Sequence, residues 1–133
     1  MNKPRRVNQL VVTTEDKTGI LSDVTAVLTK EKINIEAISA YGDEGEAIFY
    51  LIVRDNAKAL KALKAKGWDV KEEEVIVVDV ENKAGALHHV ASKLKAMEVN
   101  LRYCYGTTSE KPGPCHFIFK ATDNNLAVTA LTS

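Results

Sequence analysis

The chain repeats itself. Val11-Val12-Thr13-Thr14-Glu15-Asp16-Lys17-Thr18-Gly19-Ile20-Leu21 lies over Val77-Val78-Asp79-Val80-Glu81-Asn82-Lys83-Ala84-Gly85-Ala86-Leu87, 66 residues further on. Val24 then matches Val90, Leu28 matches Leu94 and Asn34 matches Asn100. Past the middle of each copy the offset becomes 68, pairing Asp55-Asn56 with Asp123-Asn124. The second copy has the longer loop there, from Gly106 to Pro114. A match that spans a whole structural unit signals duplication rather than two similar apolar patterns. The 133 residues therefore divide into a tail, 1–6, and two copies, 7–74 and 75–133. Copies this small bury little surface alone and gain from packing against a neighbour.

Each copy reads in the same order. Residues 7–14 form a strand rich in Val, Leu and Thr, with Leu10 and Val12 on one face. Ile20, Leu21, Val24, Val27 and Leu28 recur at helical spacing. Residues 33–42 and 46–54 are β-rich runs around Gly42-Asp43-Glu44-Gly45, which reads as a hairpin. Residues 55–66 form a short helix with Asp55 or Asn56 as its cap and Gly67 past its end. Trp68 to Glu73 is the last strand. In the second copy residues 75–81 form the first strand, and a helix turns Leu87, Val90, Ala91, Leu94 and Met97 inward. Strands at about 99–106 and 115–121 and a helix from about Asn124 follow, and the fourth strand of this copy is missing or supplied by something else.

Strand–helix–strand–strand–helix–strand is the split βαβ, ferredoxin-like order. The expected class is α+β: two βαββαβ domains packed side by side, each an antiparallel sheet with helices on one face. Almost no linker separates the copies, so a fixed geometry between them is expected.

The segment Asp16-Lys17-Thr18-Gly19-Ile20-Leu21-Ser22-Asp23-Val24, followed by Ile33-Asn34-Ile35-Glu36, resembles the ACT domain family. So does Asn82-Lys83-Ala84-Gly85-Ala86-Leu87, followed by Val99-Asn100-Leu101. Thr18 and Ala84 stand where that family often has proline. The resemblance implies a regulatory module of amino-acid metabolism. It implies domains that pair through their sheets, with an amino acid or other small ligand between them. Ligand contacts would come from the loop between first strand and first helix and from the start of the second strand. On this chain those positions are Asp16, Lys17, Thr18, Gly19, Ile20 and Asn34, and Asn82, Lys83, Ala84, Gly85, Ala86 and Asn100.

The residue types suit such a ligand. A helix N-terminus offers unpaired N–H groups and partial positive charge to a carboxylate. Asp16 or Asn82 can accept from an ammonium, and the two asparagines offer both donor and acceptor. Each position also has a plain structural use, as turn glycine, helix cap or strand-entry residue.

Other classes find little support. Lys and Arg total 18, as do Asp and Glu. Residues 1–74 hold 12 basic and 13 acidic side chains and residues 75–133 hold 6 and 5, so neither half has a nucleic-acid binder's basic excess. Lys58, Lys61, Lys64 and Lys66 read as a solvated helix face. Tyr103 and Tyr105 share a strand face and are expected to pack at a domain interface rather than stack on RNA bases. His88 and His89 diverge on a helix, so no metal set is expected. Cys104 and Cys115 are expected as two buried thiols near each other across the second hairpin. No nucleophile beside a base, cofactor fingerprint, signal peptide or membrane-length run stands out. The expectation is a cytoplasmic, non-catalytic homodimer without a cofactor. It either binds an amino acid or docks, ligand-free, on an enzyme of amino-acid metabolism.

Overall fold

The computed structural model describes residues 3–108 and 113–132. It is α+β: β1 (Arg5–Glu15), α1 (Ile20–Lys30), β2 (Ile35–Asp43), β3 (Glu46–Val53), α2 (Asn56–Lys64), β4 (Asp69–Glu81), α3 (Ala86–Ala96), β5 (Leu101–Thr107), β6 (Pro114–Ala121) and α4 (Asn124–Thr132). The chain separates into two units, residues 8–73 and residues 74–133 together with 1–7. No helix among the described residues is long and apolar enough to cross a membrane.

In the first unit the strand order is β2-β3-β1-β4, with β4 contributing residues 69–73. β3 pairs antiparallel with both β1 and β2. The β2–β3 hairpin closes through Glu44 and Gly45, both at positive φ, as a two-residue turn matched to strand twist demands. Leu10 and Val12 of β1, Phe49 and Leu51 of β3 and Val70 of β4 face α1 and α2, which bury Val24, Val27, Leu28, Ala59 and Leu63 against them.

The second unit repeats this order as β5-β6-β4-β1. Its core joins Ile76, Val78, Phe117 and Phe119 to Val90, Leu94, Ala127, Ala130 and Leu131. Its fourth strand comes from the start of the chain. β1 begins at Arg5, inside the stretch read as a tail, and residues 5–7 lie with this unit. Arg6 Nη1 donates to Glu74 Oε1 at 2.9 Å, and Arg5 lies 3.7 Å from Asp79. Residues 68–73 and 75–81, read as separate strands, are one strand from Asp69 to Glu81.

The duplication extends to a hydrogen-bond clamp. Asp55 caps α2 by accepting from the Lys58 N–H, as Asp123 accepts from the Leu126 N–H at the start of α4. The next residue ties each helix to its own first strand. Asn56 Nδ2 donates to the Asn8 carbonyl at 2.8 Å, and Asn124 Nδ2 to the Glu74 carbonyl at 3.0 Å. Asn124 is the more buried, also accepting from the Ala121 N–H at 2.9 Å. Removing it leaves buried backbone groups unpaired, so Asn124→Ala is expected to cost about 1–3 kcal/mol. Asn56→Ala should cost less, and equal losses in urea denaturation would contradict this ordering.

Several inward assignments fail. Leu21 is 54% exposed and Leu87 51%. Ala91 and Met97 are exposed as well. Each helix's inward stripe runs through Ile20, Val24 and Leu28, or Ala86, Val90 and Leu94, and Leu21 and Leu87 sit one residue, about 100°, off it. The cysteines also depart from expectation. Cys104 is exposed, and it pairs across the hairpin with Phe119, four positions from Cys115. The longer second loop includes residues 109–112, which lie outside the described residues.

Candidate functional site

The strand-to-helix loops are built on the same backbone plan. Gly19 and Gly85 occupy the position before each helix, at φ 85° and 86°. An L-residue resists that left-handed conformation by roughly 1–2 kcal/mol, and glycine does not. Neither helix has a side-chain cap, so Asp16 does not serve as one. Instead Ile20 N–H donates to the Lys17 carbonyl, and Ala86 N–H to that of Lys83, both at 3.2 Å. Asp23 N–H and His89 N–H reach back to the glycine carbonyls at 3.0 Å.

Beyond that plan the loops differ. In the first unit Asp16 N–H donates to the Gly45 carbonyl at 2.9 Å, latching the loop to the β2–β3 turn. The Asp16 carboxylate lies over Gly42, so close that a Cβ there would stand 2.5 Å from Oδ2. Lys17 pairs with Asp23 at 3.9 Å. In the second unit the loop turns on itself through Lys83 N–H to the Glu81 carbonyl at 2.9 Å, and Lys83 Nζ pairs with Glu81 at 3.0 Å. The register places Thr108 and Cys115 where the first unit has Gly42 and Ala47, and Cys115 Sγ lies 3.3 Å from Thr108 Oγ1.

Two adjoining cavities open beside the second loop. One, about 390 Å³, is lined by Val80, Glu81, Lys83, Ala84, Gly85, Ala86 and His89. The other, about 380 Å³, shares Val80, Glu81, Lys83 and Ala86 and reaches Asn82, Leu87, Thr108 and Cys115. Each is of the size that small-molecule sites occupy. A third hollow of about 580 Å³ lies in the first unit between α1 and α2, over Lys17, Val27 and Trp68.

Within the second unit the structure thus brings together Asn82, Lys83, Ala84, Gly85 and Ala86. In the first it gathers Asp16, Lys17, Thr18 and Gly19 in one loop, while Ile20 turns into the core. Asn34 and Asn100 stand elsewhere. Each precedes the strand whose other end meets the loop, and the Asn100 carbonyl accepts from Thr122 N–H at 2.9 Å at that far end. Seven or eight strand residues put these asparagines roughly 20–25 Å from the loop of their own unit. Val80, Glu81, Thr108 and Cys115 were not named from the sequence as ligand-site residues, Cys115 being expected only as a buried thiol. Only the repeat register, carried through the hairpin, would have pointed to the last two.

Electrostatics at the site are local. The hydrogen bond and charge of Lys83 hold the Glu81 carboxyl below its ordinary pKa. A depressed carboxyl contributes stability above its unfolded pKa and loses it as pH falls through the folded one. Lys83→Met is therefore expected to move the Glu81 titration upward, read by carbon NMR. An unmoved Glu81 would show that the pair does not form in solution. Away from the loop, burial pushes the Tyr105 hydroxyl pKa well up. His116 Nδ1 contacts Asp79 Oδ1, beside Arg5. Among the described residues no group of three or more His, Cys, Asp or Glu is placed to hold a metal.

Comparison with known proteins places this geometry. No curated protein matches the chain. Among solved structures, a protein of Bacteroides thetaiotaomicron superposes with a TM-score of 0.89 at 29% identity, covering 97% of this chain and 88% of that one. The ligand-free regulatory subunit of aspartate kinase from Thermus thermophilus gives 0.68 at 16% identity, covering 98% and 96%. That from Thermus flavus gives 0.61 at 16%, covering 98% and 95%. The latter two establish a shared fold. Residues 8–66 match the ACT domain family, and the first unit contains an ACT domain.

Proposed function

We propose that this chain is a non-catalytic regulatory protein of two ACT-like domains, residues 7–74 and 75–133, that binds an amino acid. The observation that carries the reading is the repeated strand–loop–glycine–helix plan, with cavities beside one loop. The ACT domain at residues 8–66 and the regulatory subunits among the structural neighbours support it. A ligand carboxylate would meet the helix N-terminus, where N–H groups and partial positive charge are available. Asn34 and Asn100, far from their own loops, would reach a ligand held by a neighbouring domain, in a cytoplasmic homodimer with its domains side by side. Binding would shift the protein between arrangements only as far as the ligand prefers one of them.

Thermal-shift measurements with each of the twenty amino acids at millimolar concentration test this. A ligand that binds only the folded form raises the midpoint by mass action. A shift with one chemical class is the expected result. No shift with any would favour a second reading, a ligand-free subunit docking on an enzyme of amino-acid metabolism. The exposed Ile38 and Tyr41 on edge strand β2 suit that reading.

A further inference from the structure

The two loops have diverged in a way that decides which of them takes a ligand. We infer that the cleft beside Lys83–Ala86 in the second unit is the chain's ligand-binding site, and that the matching loop of the first unit is closed by its own aspartate. The inference rests on the amino-acid-binding reading above and narrows it to one site per chain.

The first loop is occupied from within. Its backbone is tied to the β2–β3 turn by Asp16 N–H to the Gly45 carbonyl. The Asp16 carboxylate lies on Gly42, in space that even a methyl group at that glycine would invade. Any ligand carboxylate at this loop would also meet the negative charge that Asp16 already holds there. Glycine at 42 is what lets Asp16 lie so close.

The second loop carries the opposite substitutions. Asn82 replaces Asp16, so no fixed negative charge sits at that position to repel a ligand carboxylate. Thr108 and Cys115 replace Gly42 and Ala47, with Cys115 Sγ 3.3 Å from Thr108 Oγ1. The loop bonds to itself, Lys83 N–H to Glu81, and two adjoining cavities remain beside it. Their shared wall offers what a small zwitterion needs. Lys83 and the N-terminus of α3 suit a carboxylate, Glu81 suits an ammonium, and Val80, Ala86 and Leu87 suit an apolar side chain. Ala86 and His89 N–H groups are taken by Lys83 and Gly85 carbonyls, which leaves Leu87 and His88 without an intrahelical acceptor.

Isothermal titration calorimetry of the full chain, with the twenty amino acids as probes, tests the assignment. Two variants at equivalent exposed positions accompany it. Ala84→Trp fills the second cleft, and Thr18→Trp alters the first loop. Circular dichroism melts check that both fold. The expected result is one ligand per chain, weakened at least about tenfold by Ala84→Trp and changed less than about twofold by Thr18→Trp; should Ala84→Trp fail to fold, Lys83→Ala replaces it. Two ligands per chain, or binding lost in Thr18→Trp and kept in Ala84→Trp, would overturn the assignment and leave amino-acid binding standing. No heat with any probe would overturn both.

Discussion

Phe119→Ala is expected to cost the second unit about 3–5 kcal/mol, and Phe49→Ala the first unit as much, the usual penalty for emptying a ring-sized space in a core. Phe119 is fully buried, with the Phe117 ring 5.4 Å away, among side chains of β4, α3 and α4. Phe49 is the large buried ring of the first core, against α1 and α2. The register makes Phe49 the counterpart of Phe117, opposite Val12 and Val78, while Phe119, opposite Ile76, matches Leu51, opposite Leu10. The two cores share no residue. Urea denaturation gives the size of each loss. Amide hydrogen exchange says where it falls: Phe119→Ala should expose β6 and α4 first, and Phe49→Ala β3 and α1. Equal loss of protection everywhere, from either variant, would mean that the units open only together.

The sequence made the repeat, the element order and both helix-entry glycines legible, and each for a physical reason. Glycine before a helix without a capping side chain marks a left-handed turn, and duplication copied that requirement intact at Gly19 and Gly85. Helix-facing positions were legible where the stripe was strict. They were misread at Leu21 and Leu87, where an extra leucine beside the stripe mimics its continuation. A different pattern passed unread. Gln9 to Val12 and Val75 to Val78 are consecutive buried positions, so β1 and β4 are buried on both faces there. Near-continuous apolar runs, rather than alternation, are the mark of such strands. The loops were legible as a candidate site, and so was the change from Asp16 to Asn82, but not the full difference between them. That difference depends on what faces each loop across the sheet. Gly42, Thr108 and Cys115 are remote in sequence, and the change of offset within the hairpin hides their equivalence.

Removing residues 1–7 should damage the far end of the chain. The second copy contains three strands of its own, β4, β5 and β6, and its helix α4 is followed by no strand among the described residues. Residues 5–7 take that fourth place, beside β4. Without them β4 loses its neighbouring strand where the second unit begins at Glu74, with backbone groups unpaired and apolar cover reduced there. The ion pairs are not the main loss. Arg6 and Glu74 are both about two-fifths exposed, and such surface pairs contribute at most about 1 kcal/mol. The lost strand pairing and apolar cover should exceed this, lowering the midpoint by about 8–16 °C if the loss reaches about 2 kcal/mol in a unit of this size. Hydrogen exchange should quicken in β4 from residue 74 onward and in α4, where the Asn124 clamp to Glu74 loosens, while α1 and β3 keep their protection. Arg6→Ala alone should leave nearly all of it in place. If the truncated chain instead lost protection in residues 8–73 first, β1 would be serving the first unit along its whole length, and the second unit would stand on three strands.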